Sequence, residues 1–500
     1  MAKFGSFKYG TGVKYGYTFG EQGIAWGFEF DWNNDGLFDG TNENELVTGL
    51  LVERGRDYYL RQGSDGDIVG FERVDIGKAT ITLDDSTGRF DTYNESSPLY
   101  PNVTTGRLVK IQARDNNTGA VFPVFAGKIK DIRPISGSEE VIITVEDGMR
   151  ELRGGNAVVA IQENIAIDDA MALLIANADY TWGYNLGNST EVLPYWWAAG
   201  ETFEQACKDL AEADLGHFFI AADGKASFKG RNTINPILFQ ITQADVLKEI
   251  SRPQPWENHR DATRILVYPT IIIPTGDLWN LQDKPLIPAG ESRTYWSTFT
   301  YNGVPVPAKT LEDPVQNTDY LMNSLQDGTG TDRSAQFTVV MTPFSNATKL
   351  VVTNTGGTPA YVILLKQQGE ALAAPDVTEI RGGSGIKVFK LDNKWIQSTN
   401  TAESYSAEIL DRLDKVIQFP TVQIEARADI QFWPDLFDSV RGTFDKINIE
   451  SDFSVGKISH QWINRNGQAV LTKWKLEPFA GFDGGWLFPI QLGIDSEFAL

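Results

Sequence analysis

The chain has 500 residues, about 3.3 domains at ~150 residues each. Its 44 basic and 66 acidic side chains give a net charge of −22, which excludes a protein that grips nucleic acid by its phosphates or lies on a membrane through a basic face. With 41% hydrophobic and 22% charged residues it reads as globular, and 47 glycines with 13 tryptophans point to β-structure with many turns.

Residues 1–23 form a Gly/aromatic arm, in which Gly5, Gly10, Gly12, Gly16 and Gly20 alternate with Phe4, Phe7, Tyr9, Tyr15, Tyr17 and Phe19. Such a segment buries no core alone. It reads either as a disordered tail or as an arm whose aromatics dock on a neighbouring subunit. The N-terminus has no apolar signal-peptide core, so export by that route is not expected. The longest apolar stretch, 265–274, is broken by Pro269 and is too short to span a membrane.

From 24 to 155 the signals are strands. Lys78–Asp84 alternates, with Ala79, Ile81 and Leu83 on one face, and 108–113, 121–127 and 141–145 follow. Short strands separated by turns predict a barrel or sandwich. Over 156–250 the period changes. Helices are predicted at 167–178, with Asp168 and Asp169 in the first turn, and at 202–213, with Phe203, Ala206, Leu210 and Ala213 on one stripe. A hairpin over 217–228 turns at Asp223-Gly224, and together these make a small α+β domain. A strand covers 262–273. The Thr-, Asn- and Gly-rich stretch 283–375, with strands at 335–340, 347–353 and 360–365, predicts an inserted β-sandwich. A helix over 402–416 carries Tyr405, Ile409, Leu413 and Val416, and strands follow at 421–426 and 470–476. Residues 481–500 return to a Gly/aromatic tail.

The sharpest chemical motif is residues 31–39. Asp31, Asn33, Asp35 and Asp39 occupy positions 1, 3, 5 and 9 of a calcium loop, with Gly36 at the turn position. Position 12 is Asn42 rather than Glu, Glu43 or Glu45 would have to substitute, and flanking helices are missing. Ca²⁺ is the one cofactor the sequence raises. The alternative is a turn held by Asx hydrogen bonds. The paired carboxylates Asp84-Asp85 and Asp168-Asp169 suit turns and caps better than a glycosidase cleft. The single cysteine, Cys207, excludes a disulfide framework and reads as a buried small hydrophobe. His217, His259 and His460 show no zinc spacing. The glycine clusters at 328–330 and 382–385 lack the Lys-Ser/Thr of a phosphate loop. Trp196-Trp197 and Tyr295-Trp296 read as core or interface aromatics, or as platforms for sugar rings.

One resemblance becomes specific at Ala79-Thr80-Ile81-Thr82-Leu83-Asp84-Asp85-Ser86-Thr87-Gly88-Arg89-Phe90-Asp91, Asn94-Glu95-Ser96-Ser97-Pro98-Leu99-Tyr100-Pro101 and Gly106-Arg107-Leu108-Val109-Lys110-Ile111. This stretch resembles the N-terminal barrel of phage tail-tip and baseplate-hub proteins, often called minor tail proteins. Val124-Phe125-Ala126-Gly127-Lys128-Ile129 and Thr144-Val145-Glu146-Asp147-Gly148 continue it. Residues 202–228 resemble the helix and hairpin after that barrel. Asn354-Thr355-Gly356-Gly357 with 360–365 is similar to the sandwich insertion of long-tailed phages, and 391–398 to the strand leading back. The resemblance covers roughly 24–478.

It implies a mainly β, multidomain chain with two tail-tube-like β-barrels, at 24–155 and at 251–282 with 376–480, plus the small α+β domain and the inserted β-sandwich. It implies a homotrimer in the virion, at the tail tip, made in the host cytoplasm. The trimer would continue a six-fold tail tube into a three-fold tip. Its neighbours would be a distal tail or tail tube protein, a tape measure protein, and tail fibre or other tip proteins, with DNA passing transiently during ejection. The resemblance carries no catalytic residues, so no enzyme activity is expected. If the barrels enclose the channel, inward Asp and Glu would repel DNA phosphates; the plain reading of the charge is solubility. Two other functions stay open: a carbohydrate-binding β-protein that recognises the host surface through 283–375, and a polysaccharide-cleaving enzyme.

Overall fold

A computed structural model describes residues 7–9, 13–15 and 23–478, apart from 39–42, 65, 136, 232, 234–235, 247–249, 251–252, 254, 375, 414–418, 426–427 and 464–468. The predicted C-terminal tail lies outside the described residues. So does most of the N-terminal arm, within which Phe7–Tyr9 and Val13–Tyr15 pair antiparallel. The chain is mainly β, with 50% strand and 14% helix, and is divided among several sheets.

The largest sheet has eleven strands. Along its path run Ile237–Thr242, Ser439–Phe444, Ile449–Trp462, Val47–Gly55, Lys78–Asp84, Glu140–Asp147, Val121–Pro134, Leu108–Asp115 and Ile24–Phe30. Val470–Pro478 also pairs with Ile449–Trp462 and carries Thr421–Ile424. Strands predicted for two separate barrels thus belong to one sheet. The joint is the antiparallel pair Val47–Gly55 and Ile449–Trp462, in the register Leu51↔Gln461 to Gly55↔Lys457.

Period-2 alternation builds each half. Ala79, Ile81 and Leu83 lie fully buried beside Val109, Ile111, Val141, Ile143 and Val145. Burying such a side chain contributes about 1.5–3 kcal/mol. The end strand Ile24–Phe30 is buried along its whole length. At one end of the strand Phe30 stacks on Trp32 at 5.0 Å. At the other end Trp26, on the same face, meets Phe432 and Trp462, each at 5.5 Å, from the C-terminal half. The second half packs Val422, Val440, Phe444, Phe453, Val455, Ile458, Trp474 and Leu476 into its own core.

The α+β unit carries helices Ile167–Asn177 and Phe203–Ala213 against the paired strands Asn156–Ala166 and Val192–Thr202. Thr202 starts the second helix, its hydroxyl accepting a hydrogen bond from the Gln205 amide at 3.1 Å. His217–Ile220 and Ala226–Lys229 form the hairpin, and Gly224 at φ +92° supplies its turn.

The remaining strands pair in smaller sheets. Residues 251–282 and 376–480 divide among three sheets. Ala262–Val267 pairs with Thr378–Gly383 and Val388–Asp392, and the latter joins Ile68–Phe71 from the N-terminal segment. Leu60–Gln62 completes this five-stranded sheet. Helix Thr399–Leu413 covers it with Ala402, Tyr405, Ile409 and Leu413. Alternation identifies a strand and its buried face, but not a partner some 300 residues away. Ile271–Asn280 instead pairs with the 14-residue strand Ala360–Ala373 and so lies with the inserted strands.

The insertion packs that sheet against a three-stranded one, Ser292–Thr298, Ala347–Asn354 and Phe337–Pro343. Ile287, Met322, Phe337, Leu350, Val352, Val362 and Leu365 fill the space between.

Two glycines make the joint possible. Gly55 has φ +107°, and a Cβ there would lie 2.3 Å from the Gly456 carbonyl oxygen and 2.7 Å from Lys457 Cα. A Cβ on Gly456 would lie 2.2 Å from Glu477 Cδ. The Arg56 amide donates to the Gly456 carbonyl at 3.0 Å. Gly55→Ala is therefore expected to cost about 3 kcal/mol or more, because neither backbone can yield. Gly290→Ala, at φ +74° in open space, should cost only about 1–2 kcal/mol. Urea midpoints of the two variants check this difference.

Candidate functional site

The calcium-like loop leaves the end of strand Ile24–Phe30. Asp31 is 1% exposed. Its Oδ1 accepts from the Asp35 amide at 3.1 Å and its Oδ2 from the Gly36 amide at 3.0 Å. Asp35 accepts from the Leu37 amide and from Asn33 Nδ2, both at 2.8 Å. Positive φ at Asn34 (+60°) and Gly36 (+82°) closes the turn. Every oxygen of the two carboxylates thus accepts an N–H. Asp39 lies outside the described residues, as does Asn42. Of the candidate substitutes, Glu43 is buried and paired with Arg89 at 3.2 Å, with burial raising its carboxyl above the usual range; Glu45 is exposed. Among the described residues no group of three or more His, Cys, Asp or Glu side chains could hold a metal ion.

The other candidates are dispersed. Asp84 accepts from the Ser86 amide and Asp85 from the Phe90 amide, both as turn acceptors. Asp168 accepts from the Ser189 amide at 3.2 Å. Cys207 is buried in its helix, and burial raises its thiol. His217 stacks on Phe437 with centroids 4.0 Å apart, and burial holds its imidazole well below the usual value. His460 is pushed down to about 3 by burial, and its Nδ1 meets Thr472 Oγ1 at 2.9 Å. Trp196 is buried, and both Trp196 and Trp197 pack on Trp395, at 6.3 and 5.0 Å. Trp296 is exposed. A cleft lined by Phe71, Arg73, Lys208, Glu212 and His217 holds about 30 Å³, room for water but far short of the ~300 Å³ of a small-molecule site.

What the structure does bring together is a set of buried arginine clusters at the joint. The Arg56 fork meets Glu477, with Nη2 2.6 Å from Oε2 and both side chains 1% exposed. Its Nη1 donates to the Glu72 carbonyl at 2.6 Å. Phe437 and Tyr59 flank the guanidinium at 5.2 and 5.3 Å. Arg54 pairs with Asp435 and donates to the Ile220 carbonyl at 3.0 Å, while Asp435 accepts from the Ala222 amide at 2.8 Å. Arg54 thus ties the joint to the α+β hairpin.

Two further clusters extend this. Glu212 accepts from Arg61 and Arg73, at 2.5 and 2.7 Å. Arg231 bridges Glu191 and Glu408, at 2.5 and 3.3 Å. The planar fork suits such pairs better than lysine. Nearby, burial pushes the carboxyls of Asp147 and Asp214 up to about 7. Asp147 accepts from the Gly77 and Met149 amides, and Asp214 from Ser189 Oγ and the Arg231 amide. These partners fasten chain segments to one another, and Arg73 and Glu212 also line the small cleft. The sequence reading missed Arg54 and Arg56. The available signal was a pair of arginines flanking a glycine one residue beyond the apolar run Leu50-Leu51-Val52, since charge in a buried strand requires partners.

No protein-family model matches the sequence, and no curated protein matches it. Solved structures do match. The tail protein from Neisseria meningitidis MC58 is 10% identical with a TM-score of 0.49, covering 92% of this chain and 98% of that one. The 43 kDa tail protein of prophage MuSo2 from Shewanella oneidensis is 8% identical with a TM-score of 0.48, covering 91% and 99%. The prophage tail protein gp18 from Listeria monocytogenes EGD-e is 6% identical with a TM-score of 0.39, covering 85% and 94%. All three are distant likenesses.

Two outcomes are expected here. Glu477→Ala leaves Arg56 buried and unpaired and should cost about 3–5 kcal/mol, whereas the double variant Arg56→Met/Glu477→Leu should recover most of it; denaturant titration of the set checks this. Asp31→Ala should cost about 1–2 kcal/mol by freeing two amides, with the same melting temperature in calcium and in chelator. A calcium-dependent rise in melting temperature that Asp31→Ala abolishes would instead assign a metal to the loop.

Proposed function

We propose that this protein is a structural hub of a phage tail tip or baseplate, without enzyme activity. In this reading it assembles as a homotrimer, continues a six-fold tail tube into a three-fold tip, anchors tip or fibre proteins, and lets DNA pass during ejection. The observation that supports it is the eleven-stranded sheet. One chain holds two strand sets side by side in a continuous wall, so three chains would present six such sets around an axis. The sequence resemblance over 24–478 supports the same reading. The buried arginine clusters fit a scaffold that must hold its parts in fixed relation.

The net charge of −22 then has a mechanical use: carboxylates facing the channel would repel the duplex and keep it from sticking. No helix among the described residues is long and apolar enough to cross a membrane, and the proposed partners are other tail components.

Electron microscopy of the purified protein tests the assembly. The expected image is a three-fold ring with a central hole wide enough for duplex DNA. A compact monomer at the concentrations of assembly would overturn the proposal, and a ring with a basic lumen would overturn the account of the charge.

A further inference from the structure

The three-stranded sheet of the insertion has two different faces. Its register aligns Trp296, Lys349 and Thr342 in one row, Thr294, Val351 and Val340 in the next, and Ser292, Thr353 and Thr338 beyond. Of the intervening residues, Leu350 and Val352 turn inward to the sandwich core, while Arg293 on the end strand stays exposed. Rows on one face are ~6.8 Å apart and strands ~4.8 Å apart.

The outer face has an unusual composition. Trp296 is 58% exposed, and Phe344 steadies its ring from 5.5 Å. Thr294 and Thr342 share the face with it, and two rows away the hydroxyls of Ser292 and Thr353 meet at 2.7 Å. None of the three strands contains Asp or Glu, although 66 of the chain's 500 residues are acidic. Lys349 is the one charge on this face, directly beside Trp296 in the register, and its own sheet supplies no carboxylate to pair with it.

We infer that this face binds an acidic polysaccharide, one whose pyranose rings carry carboxylates. The exposed indole offers a flat apolar plane for the C–H face of a sugar ring. The hydroxyl rows offer donors and acceptors to the ring's own hydroxyls. Lys349 selects an anionic sugar through a charge-assisted hydrogen bond, and the acid-free sheet leaves that anion unrepelled. A protein partner would call for an apolar centre within roughly 1,000 Å² or more of interface. Here Trp296, Phe344 and two valines, Val351 and Val340, share the face with Lys349 and five hydroxyls, too small an apolar centre for such an interface.

The inference does not rest on the assembly proposed above. A three-fold ring that binds no polysaccharide would overturn this inference alone, and a monomer that binds one would overturn the assembly alone.

Affinity electrophoresis of the full chain tests it against three immobilised polymers: polygalacturonate (ring with charge), dextran (ring without charge) and polyphosphate (charge without ring). Retention by polygalacturonate above the other two is expected, weakening as salt rises. Trp296→Ala should weaken it tenfold or more, and Lys349→Gln should remove the preference over dextran. Both side chains lie on the outer face, so the melting temperature should not change. No retention by polygalacturonate, equal retention by polyphosphate, or retention unaltered in Trp296→Ala overturns the inference.

Discussion

The whole arrangement depends on the close crossing of two strands at Gly55 and Gly456. There the backbone of an N-terminal strand touches that of a strand 400 residues later, and no side chain fits between them. The crossing sets the register Leu51↔Gln461 to Gly55↔Lys457 and so makes one sheet of two strand sets. The buried Arg56–Glu477 pair lies against it. Such a pair contributes little net stability, since desolvation offsets most of the attraction. Its consequence is specificity: a slip of one residue would turn Arg56 to the other face of the sheet and leave Glu477 buried without a cation.

From that joint the remaining units are fastened by hydrogen-bonded charge rather than by apolar area alone. Arg54 reaches the α+β hairpin through Ile220 and Asp435. Arg61 and Arg73 hold Glu212 on the second helix of that unit. Arg231 holds the helix Thr399–Leu413 through Glu408. Apolar contacts are tolerant of small rotations, but a charge-assisted hydrogen bond is less so. The inserted sandwich, by contrast, is built around its own core, which leaves its outer sheet free to vary in chemistry without disturbing the wall.

Much of this was legible in the sequence. The strand Lys78–Asp84 and the stripe Phe203, Ala206, Leu210 and Ala213 came directly from periodicity, because one face of each is dry. The helix predicted over 402–416 is found at Thr399–Leu413. Pairing was not legible. Nothing in Ile68–Phe71 announces Val388–Asp392 as its neighbour, since alternation describes a face and is silent on edges. Nor does it announce that 271–280 leaves the strands before it to join the insertion. Of the candidate sites, Trp196-Trp197 and Tyr295-Trp296 look alike as dipeptides. Only the packing separates them, with Trp395 covering the first pair and nothing comparable covering Trp296. The carboxylates of the 31–39 motif were visible, and so was the Asx-turn alternative to calcium; the amides of residues 35–37 do donate to Asp31 and Asp35.

The interleaving of early and late strands also bears on biosynthesis. The strand ending at Gly55 leaves the ribosome some 400 residues before its partner, Lys457. At ~5–20 residues per second the wait is about 20–80 s. Throughout that interval the apolar edge of the first strand set stands open, as does the arginine pair that Glu477 and Asp435 will later neutralise. Leu60–Gln62 and Ile68–Phe71 wait in the same way for 262–267 and 378–392. The chain therefore completes its wall only after Lys457 and the strand that follows it have been made. A product that stops short of Lys457 leaves the crossing at Gly55 unmade. Such coupling makes the finished wall depend on both strand sets at once.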